Sequence, residues 1–318
     1  MRCNATPSPR TSHTRILTMN IGYVGLGNMG GALARRLQLT HPLQVYDRDG
    51  TCVQRLVERG ATRAENLTHL AQSCDVIILC LPTSEHVRSV LFGADGIAAS
   101  VKRGTLIVDQ TSGDPTMTRA IAAELAERGI GIVDAPVSGG PAGADAGTIA
   151  IMVGAELGVF ERVAPVLRAI SPNVFHAGGI GCGHVVKLAN NLLSAGTRLM
   201  TLEAMALAVK NGVDSEKALE IMMASGGRNF WMEKYMANYI LTGKLKAAFA
   251  LGLLHKDVRL ACQLGQDSGM PMLFGNLSKD FYQMALNEHS FDAPVNVVAV
   301  TMDRITGSHV VPADFSID

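Results

Sequence analysis

The chain has 318 residues, with 28 basic and 28 acidic side chains that cancel to a formal net charge of zero; 47% of residues are hydrophobic and 18% charged. A length beyond the ~100–200 residues of a single domain predicts two domains and a cleft between them. The charge balance leaves no footprint for nucleic acid or an anionic membrane surface, so a small molecule is the expected ligand.

Six cysteines are scattered without metal-ligand or disulfide-framework spacing, which predicts no metal site and a reduced, cytoplasmic setting. No uninterrupted apolar run reaches the ~20 residues needed to span a bilayer, and a soluble protein is expected. Residues 1–18 carry Arg2, Arg10 and Arg15 and no acid. They read as a disordered tail, or as an upstream start before Met19. A transit peptide is the alternative, against which Pro7 and Pro9 argue by interrupting the helix it would need.

From residue 19 onward, short apolar runs at 20–24, 43–46, 75–81, 105–108, 130–133 and 148–153 read as strands. Helical patterns lie between them, as at 31–38 and at 116–128, where Gly129 closes the helix. Strand and helix in alternation predict a parallel sheet with helices on both faces, over residues 19–181. After Gly183 the pattern turns helical: 185–209, a helix capped by Asp214 and running through Met223, then 249–266, 272–286 and 295–305. Residues 182–318 are therefore expected to form an all-α domain whose first helix is apolar nearly all round and belongs in a core or a subunit interface.

Gly25-Leu26-Gly27-Asn28-Met29-Gly30 stands between the first strand and the first helix. In that position a G-x-G-x-x-G serves a dinucleotide: the first glycine allows the tight turn, the second lets a pyrophosphate approach, and the third lets helix and strand pack closely. The second strand ends at Asp47, 20 residues past Gly27. A carboxylate there accepts from the ribose hydroxyls of NAD and repels the 2′-phosphate of NADP. NAD is thus the expected cofactor, and Arg48, able to stack or pair with a phosphate, keeps NADP open. The alternative for Asp47 is a helix N-cap. Leu81 and Pro82, and Ser112 after a later strand, should line the same crevice; Thr83 and Ser112 could instead cap the helices that follow.

Asp134 to Pro141 follows another strand and contains Ser138-Gly139-Gly140. A hydroxyl beside two unobstructed backbone amides suits a small carboxylate. A structural turn and a nucleophilic serine are the alternatives, and no G-x-S-x-G surrounds Ser138. Lys187 and Asn191 lie four apart in an apolar helical stretch and share a face. A lysine directed into a cleft there loses hydration and exchanges protons near neutrality, with Asn191 placed to hold the ammonium or a substrate hydroxyl. A lysine snorkelling to solvent is the bland alternative.

Four motifs in order, the glycine fingerprint, Asp134 to Gly140, Gly181-x-Gly183-x-x-x-Lys187-x-x-Asn190-Asn191, and Phe249 followed by Lys256-Asp257, make the chain from Met19 onward resemble the β-hydroxyacid dehydrogenases. The resemblance implies a Rossmann-type doubly wound N-terminal domain, a helical C-terminal domain and a homodimer or homotetramer. It also implies that Ser138, Gly139 and Gly140 bind the substrate carboxylate, Lys187 is the acid/base and Asn191 binds substrate. Phe249 and Lys256 are then expected beside the cofactor. Some members carry Trp where Phe230 stands here, with Trp231 adjacent. The segment from Gly226 to Tyr239 is therefore expected to shape the far end of the substrate pocket, ordinary core packing being the other reading of its aromatics.

The function expected is hydride transfer between NAD and a short 3-hydroxy acid or the matching semialdehyde. An NADPH-dependent imine reductase is the enzymatic rival, opposed by Lys187 and Asp47. A non-catalytic dinucleotide-binding protein is the other, opposed by the joint presence of Ser138, Lys187 and Asn191.

Overall fold

The computed structural model describes residues 19–247 and 249–317; the expectations for the N-terminal tail lie outside them. The first half runs β1 (Ile21–Val24), α1 (Asn28–Gln38), β2 (Leu43–Tyr46), α2 (Gly50–Val57), β3 (Thr62–Arg63), α3 (Leu67–Ser73), β4 (Val76–Leu79), α4 (Ser84–Phe92), β5 (Leu106–Asp109) and α5 (Pro115–Ala126). It continues through β6 (Gly131–Asp134), β7 (Val137–Ser138), α6 (Gly140–Ala146), β8 (Ala150–Gly154), α7 (Leu157–Ile170) and β9 (Val174–Gly178). The sheet order is β3-β2-β1-β4-β5-β6-β8-β7, with β9 paired to β8. Strands β1, β4 and β5 are buried on both faces, as their unbroken apolar runs require once helices cover each side. Pro115 at the first turn and the Asp114 cap start α5, and Gly129 follows it at φ +70°.

One edge departs from the expected all-parallel sheet: β8 runs antiparallel to β6 and β7. The chain between β6 and β8 holds only β7 and the seven-residue α6, and pairing β7 directly with β8 returns the chain antiparallel. The strand order reverses between β1 and β4, and the crevice at their carboxyl ends is where doubly wound sheets hold ligands.

The second half holds α8 (Cys182–Lys210), α9 (Ser215–Met223), α10 (Leu251–Asp267), α11 (Leu273–Glu288) and α12 (Val298–Thr306). Asp214 caps α9 by accepting from Lys217 N, at 2.9 Å. Helix α10 starts two residues later than the periodicity suggests, because the Phe249 carbonyl accepts from Val295 N and Ala250 bridges Pro294. Met232–Ile240 forms a π-helix, a form that apolar periodicity does not anticipate and that is rare beyond a single bulged turn.

By length and composition α8 is able to cross a membrane, although polar residues interrupt its apolar runs. His184, Lys187, Asn191 and Arg198 are buried along it, and it packs against β8, α10, α11 and α12. Its polar groups thus meet protein, as in a core helix. The opposite side is apolar and exposed, at Val186, Leu193, Met200 and Leu207, so burial within the chain's own core covers only part of the helix.

Candidate active site

At the carboxyl end of β1, Gly25 has φ +90°, and a Cβ on it would lie 2.3 Å from the Cys80 carbonyl oxygen. A Cβ on Gly30 would lie 2.0 Å from the Gly25 carbonyl oxygen, whereas one on Gly27 would meet nothing within 4 Å. These are the constraints of a tight turn, a close helix contact and an open approach for a phosphate group. The exposed backbone at Gly27 and Asn28 and the half-buried Met29 form that approach, while Leu26 is buried. Asp47 Oδ2 accepts from Leu26 N at 2.6 Å and Oδ1 from Asp49 N at 2.8 Å. Its carboxylate is therefore tied to the glycine loop, and Asp49 caps α2. Arg48 is exposed beside it. Leu81 packs against Gly25, and its N–H donates to Thr111 Oγ1 at 3.1 Å. Thr83 caps α4 and Asp114, rather than Ser112, caps α5. Loop amides, an anchored carboxylate and a vacant Cβ direction at Gly27 fit a dinucleotide.

The start of α8 is held by one buried carboxylate. Asp134, at the end of β6, accepts from Gly181 N at 2.7 Å and from His184 N at 2.8 Å. Glycine is required around it, since a Cβ on Gly154 would lie 2.3 Å from Asp134 Oδ1 and one on Gly183 would lie 2.3 Å from the Met152 carbonyl oxygen. The buried ring of His184 bonds the Thr111 carbonyl through Nε2 at 2.9 Å and the Thr118 hydroxyl through Nδ1 at 3.0 Å. Strand β6 leads to Ser138 and α8 leads to Lys187, so the Ser138 loop and the lysine are fastened at one point.

One turn further, Lys187 is 7% exposed, and its ammonium has no hydrogen-bond acceptor among the described residues. Burial draws its pKa down from 10.5 to about 8, opposed by Asp257 and assisted by Lys256. Asn191 donates to Asp257 Oδ2 at 2.6 Å; it does not hold the ammonium, since its carbonyl Oδ1, the atom able to accept from Lys187, accepts from Asn190 Nδ2 instead. Asn190 Nδ2 lies 3.4 Å from Ser138 Oγ and 3.2 Å from Asn191 Oδ1. Lys256 pairs with Asp257 Oδ1 at 3.1 Å, donates to the Pro82 carbonyl at 3.2 Å and also donates to the Ser112 carbonyl. A continuous polar chain thus runs from Ser138 through Asn190, Asn191, Asp257 and Lys256 to the loops after β4 and β5.

Gly139 and Gly140, at φ +139° and +70°, open α6 beside Ser138. Phe249 is half-buried against the helical core. Phe230 is 67% exposed and meets Tyr235 in a T-shaped contact, whereas Trp231 is 3% exposed and stacks on Tyr235. Sequence reasoning did not select Asp134, Asn190 or Asp257 as site residues. Asp134 shared one signal with Asp47, a carboxylate closing an apolar strand, and Asp257 adjoined Lys256.

A family model described as the NAD binding domain of 6-phosphogluconate dehydrogenase matches residues 20–179. A second, described as NAD-binding of NADP-dependent 3-hydroxyisobutyrate dehydrogenase, matches residues 181–299. Similar proteins include a 2-(hydroxymethyl)glutarate dehydrogenase of Eubacterium barkeri, 38% identical over 92% of this chain and 98% of its own length. An NAD-dependent L-serine dehydrogenase of Pseudomonas aeruginosa is 36% identical over 90% and 99% of the two chains. The structure of Mycobacterium tuberculosis 3-hydroxyisobutyrate dehydrogenase with L-serine superposes with a TM-score of 0.82 at 28% identity, covering 90% of this chain and 99% of that one. Matched along both halves, the chain belongs to the β-hydroxyacid dehydrogenase family and is an NAD(P)-dependent oxidoreductase acting on CH–OH groups.

Proposed function

We propose that the substrate is a short 3-hydroxy acid or its semialdehyde, bound in a cleft between domains 19–181 and 182–318 with Lys187 as acid/base. The observation that carries this reading is the buried Lys187, its pKa drawn down to about 8 and its ammonium without an acceptor among the described residues, close to Asp257 and Lys256. Ser138 and the Gly139 and Gly140 amides grip the carboxylate, and Asn191 positions the substrate with its amide oriented by Asp257. In oxidation neutral Lys187 takes the hydroxyl proton; in reduction the ammonium returns it. NAD supplies the hydride acceptor or donor, and the glycine loop from Gly25 to Gly30, Asp47, Leu81, Pro82, Ser112, Phe249 and Lys256 are the residues placed to hold it. Asp47 favours NAD over NADP, since a 2′-phosphate would meet a carboxylate already fixed by Leu26 N.

Purified protein assayed with NAD and with NADP against 3-hydroxyisobutyrate, serine, glycerate and 2-(hydroxymethyl)glutarate, and against the matching aldehydes, will show turnover of at least one pair, faster with NAD. Silence across both cofactors and all acids would refute the reading.

The same reading includes a homo-oligomer built on α8. Val186, Leu193, Met200 and Leu207 recur every seven residues and are 44% to 71% exposed, an apolar stripe that water disfavours and a second copy can cover. Introducing Leu193→Glu together with Met200→Glu is expected to reduce the mass measured by light scattering to that of a monomer. An unchanged mass excludes this face.

A further inference from the structure

Lys187, Asn191 and Arg198 follow one another at intervals of four and seven residues. On α8 they fall within about 40° of one face, with Arg198 roughly 10 Å beyond Asn191 along the axis. Long side chains on a helix lean toward its N-terminus, which here carries the guanidinium back toward Asn191. All three residues are buried, at 7%, 5% and 5% exposure.

The surroundings of Arg198 are unusual for a buried cation. No acidic side chain lies within ion-pair distance of it among the described residues. Its Nη1 lies 3.2 Å from the Tyr282 hydroxyl, and its guanidinium carbon sits 5.7 Å from the centre of the Trp231 ring. Its Nε is buried with no acceptor, and the indole Nε1 of Trp231, 3% exposed, is buried with none either. A cation–π contact is a weak attraction, smaller than the desolvation that burying an unpaired charge requires. The contact with Trp231 therefore does not balance the burial. A carboxylate would, because it neutralises the guanidinium and accepts from both free N–H groups.

We infer that Arg198 and Trp231 form a second acid-binding subsite, and that the substrate is a 3-hydroxy acid carrying a second carboxylate on the arm away from the reacting carbon. The inference rests on the proposed function, in which Ser138 to Gly140 take the first carboxylate and Lys187 meets the hydroxyl. The arm then runs past Asn191 along α8 toward Trp231, which lies in the segment bearing Phe230 and leading into the π-helix. A diacid of substituted-glutarate length suits this path. The monoacid leaves the guanidinium unpaired.

The test compares 2-(hydroxymethyl)glutarate with 3-hydroxyisobutyrate, which differ only in a carboxyethyl arm in place of a methyl group. Wild-type enzyme with NAD should show kcat/KM about 10–10²-fold higher for the diacid, the range of a hydrogen bond to a charged group. Arg198→Met should erase that preference through KM while leaving turnover of the monoacid within about twofold, and Arg198→Lys should restore part of it. Trp231→Phe keeps the ring, removes Nε1 and should lower the preference by about 2–10-fold. As a readout free of turnover, glutarate should raise the melting temperature of wild type more than butyrate does, and Arg198→Met should abolish the difference.

Turnover of the monoacid without preference for the diacid would overturn the subsite and spare the dehydrogenase reading. Failure of both acids to reduce NAD would overturn both. Equal losses for the two acids in Trp231→Phe, or in a folded Arg198→Met, would make the pair structural and the subsite wrong. Should Arg198→Met not fold, the wild-type ratio and Trp231→Phe still decide.

Discussion

Replacing Lys187 by Ala will lower kcat by about 10²–10⁴-fold, the usual loss when a general acid/base is removed, with the affinity for NADH, measured by fluorescence titration, essentially unchanged. The split follows from position: Lys187 stands on α8, while the glycine loop and Asp47 belong to the β1 and β2 ends of the sheet. Full turnover in this variant would end the assigned role. A pH profile gives the same test in wild type. Burial lowers the Lys187 pKa to about 8, so oxidation, which needs the neutral amine, should rise through that value and level off above it. Reduction needs the ammonium and should fall over the same interval. The linkage to stability has a definite sign as well. The unfolded lysine still binds its proton between about 8 and 10.5, where the folded one has released it, so stability should rise with pH across that window.

Asp134→Ala should cost about 2–6 kcal/mol of stability, because two buried N–H groups, those of Gly181 and His184, lose their acceptor at about 1–3 kcal/mol each. Asp134→Asn keeps one carbonyl acceptor but turns an NH2 toward the other amide, and should fall between alanine and wild type. Activity should decline with stability, since this carboxylate fastens the start of the helix that carries Lys187 to the strand that leads to Ser138. Urea unfolding checks the prediction; a change below about 1 kcal/mol in the alanine variant would show that solvent or another group satisfies both amides.

Both expectations draw on different amounts of sequence. Lys187 was identifiable because a lysine in a mostly apolar stretch, four residues before an asparagine and just after a glycine-rich turn, is a local pattern. Asp134 was not, because its partners lie 47 and 50 residues away, and nothing in the run from 130 to 141 points to them. The same holds for Asp257, whose bond to Asn191 spans 66 residues. It also holds for Arg198, which local pattern makes an ordinary polar residue on a long helix and which burial against Trp231 and Tyr282 makes a cation without a counter-charge among the described residues.

By itself, the amino-acid order determined the alternation of strand and helix, the glycine turn between the first strand and the first helix, the change to an all-helical second half, and the shared face of Lys187 and Asn191. Each is set by steric and periodic rules acting within a few residues. Only the tertiary structure decided that β8 returns antiparallel, that Met232–Ile240 winds as a π-helix, that the Asn191 amide is bound by Asp257, and that one side of α8 stays apolar and uncovered. Those outcomes depend on which distant groups compete for the same buried donor, acceptor or surface, and that competition exists only once the chain has folded.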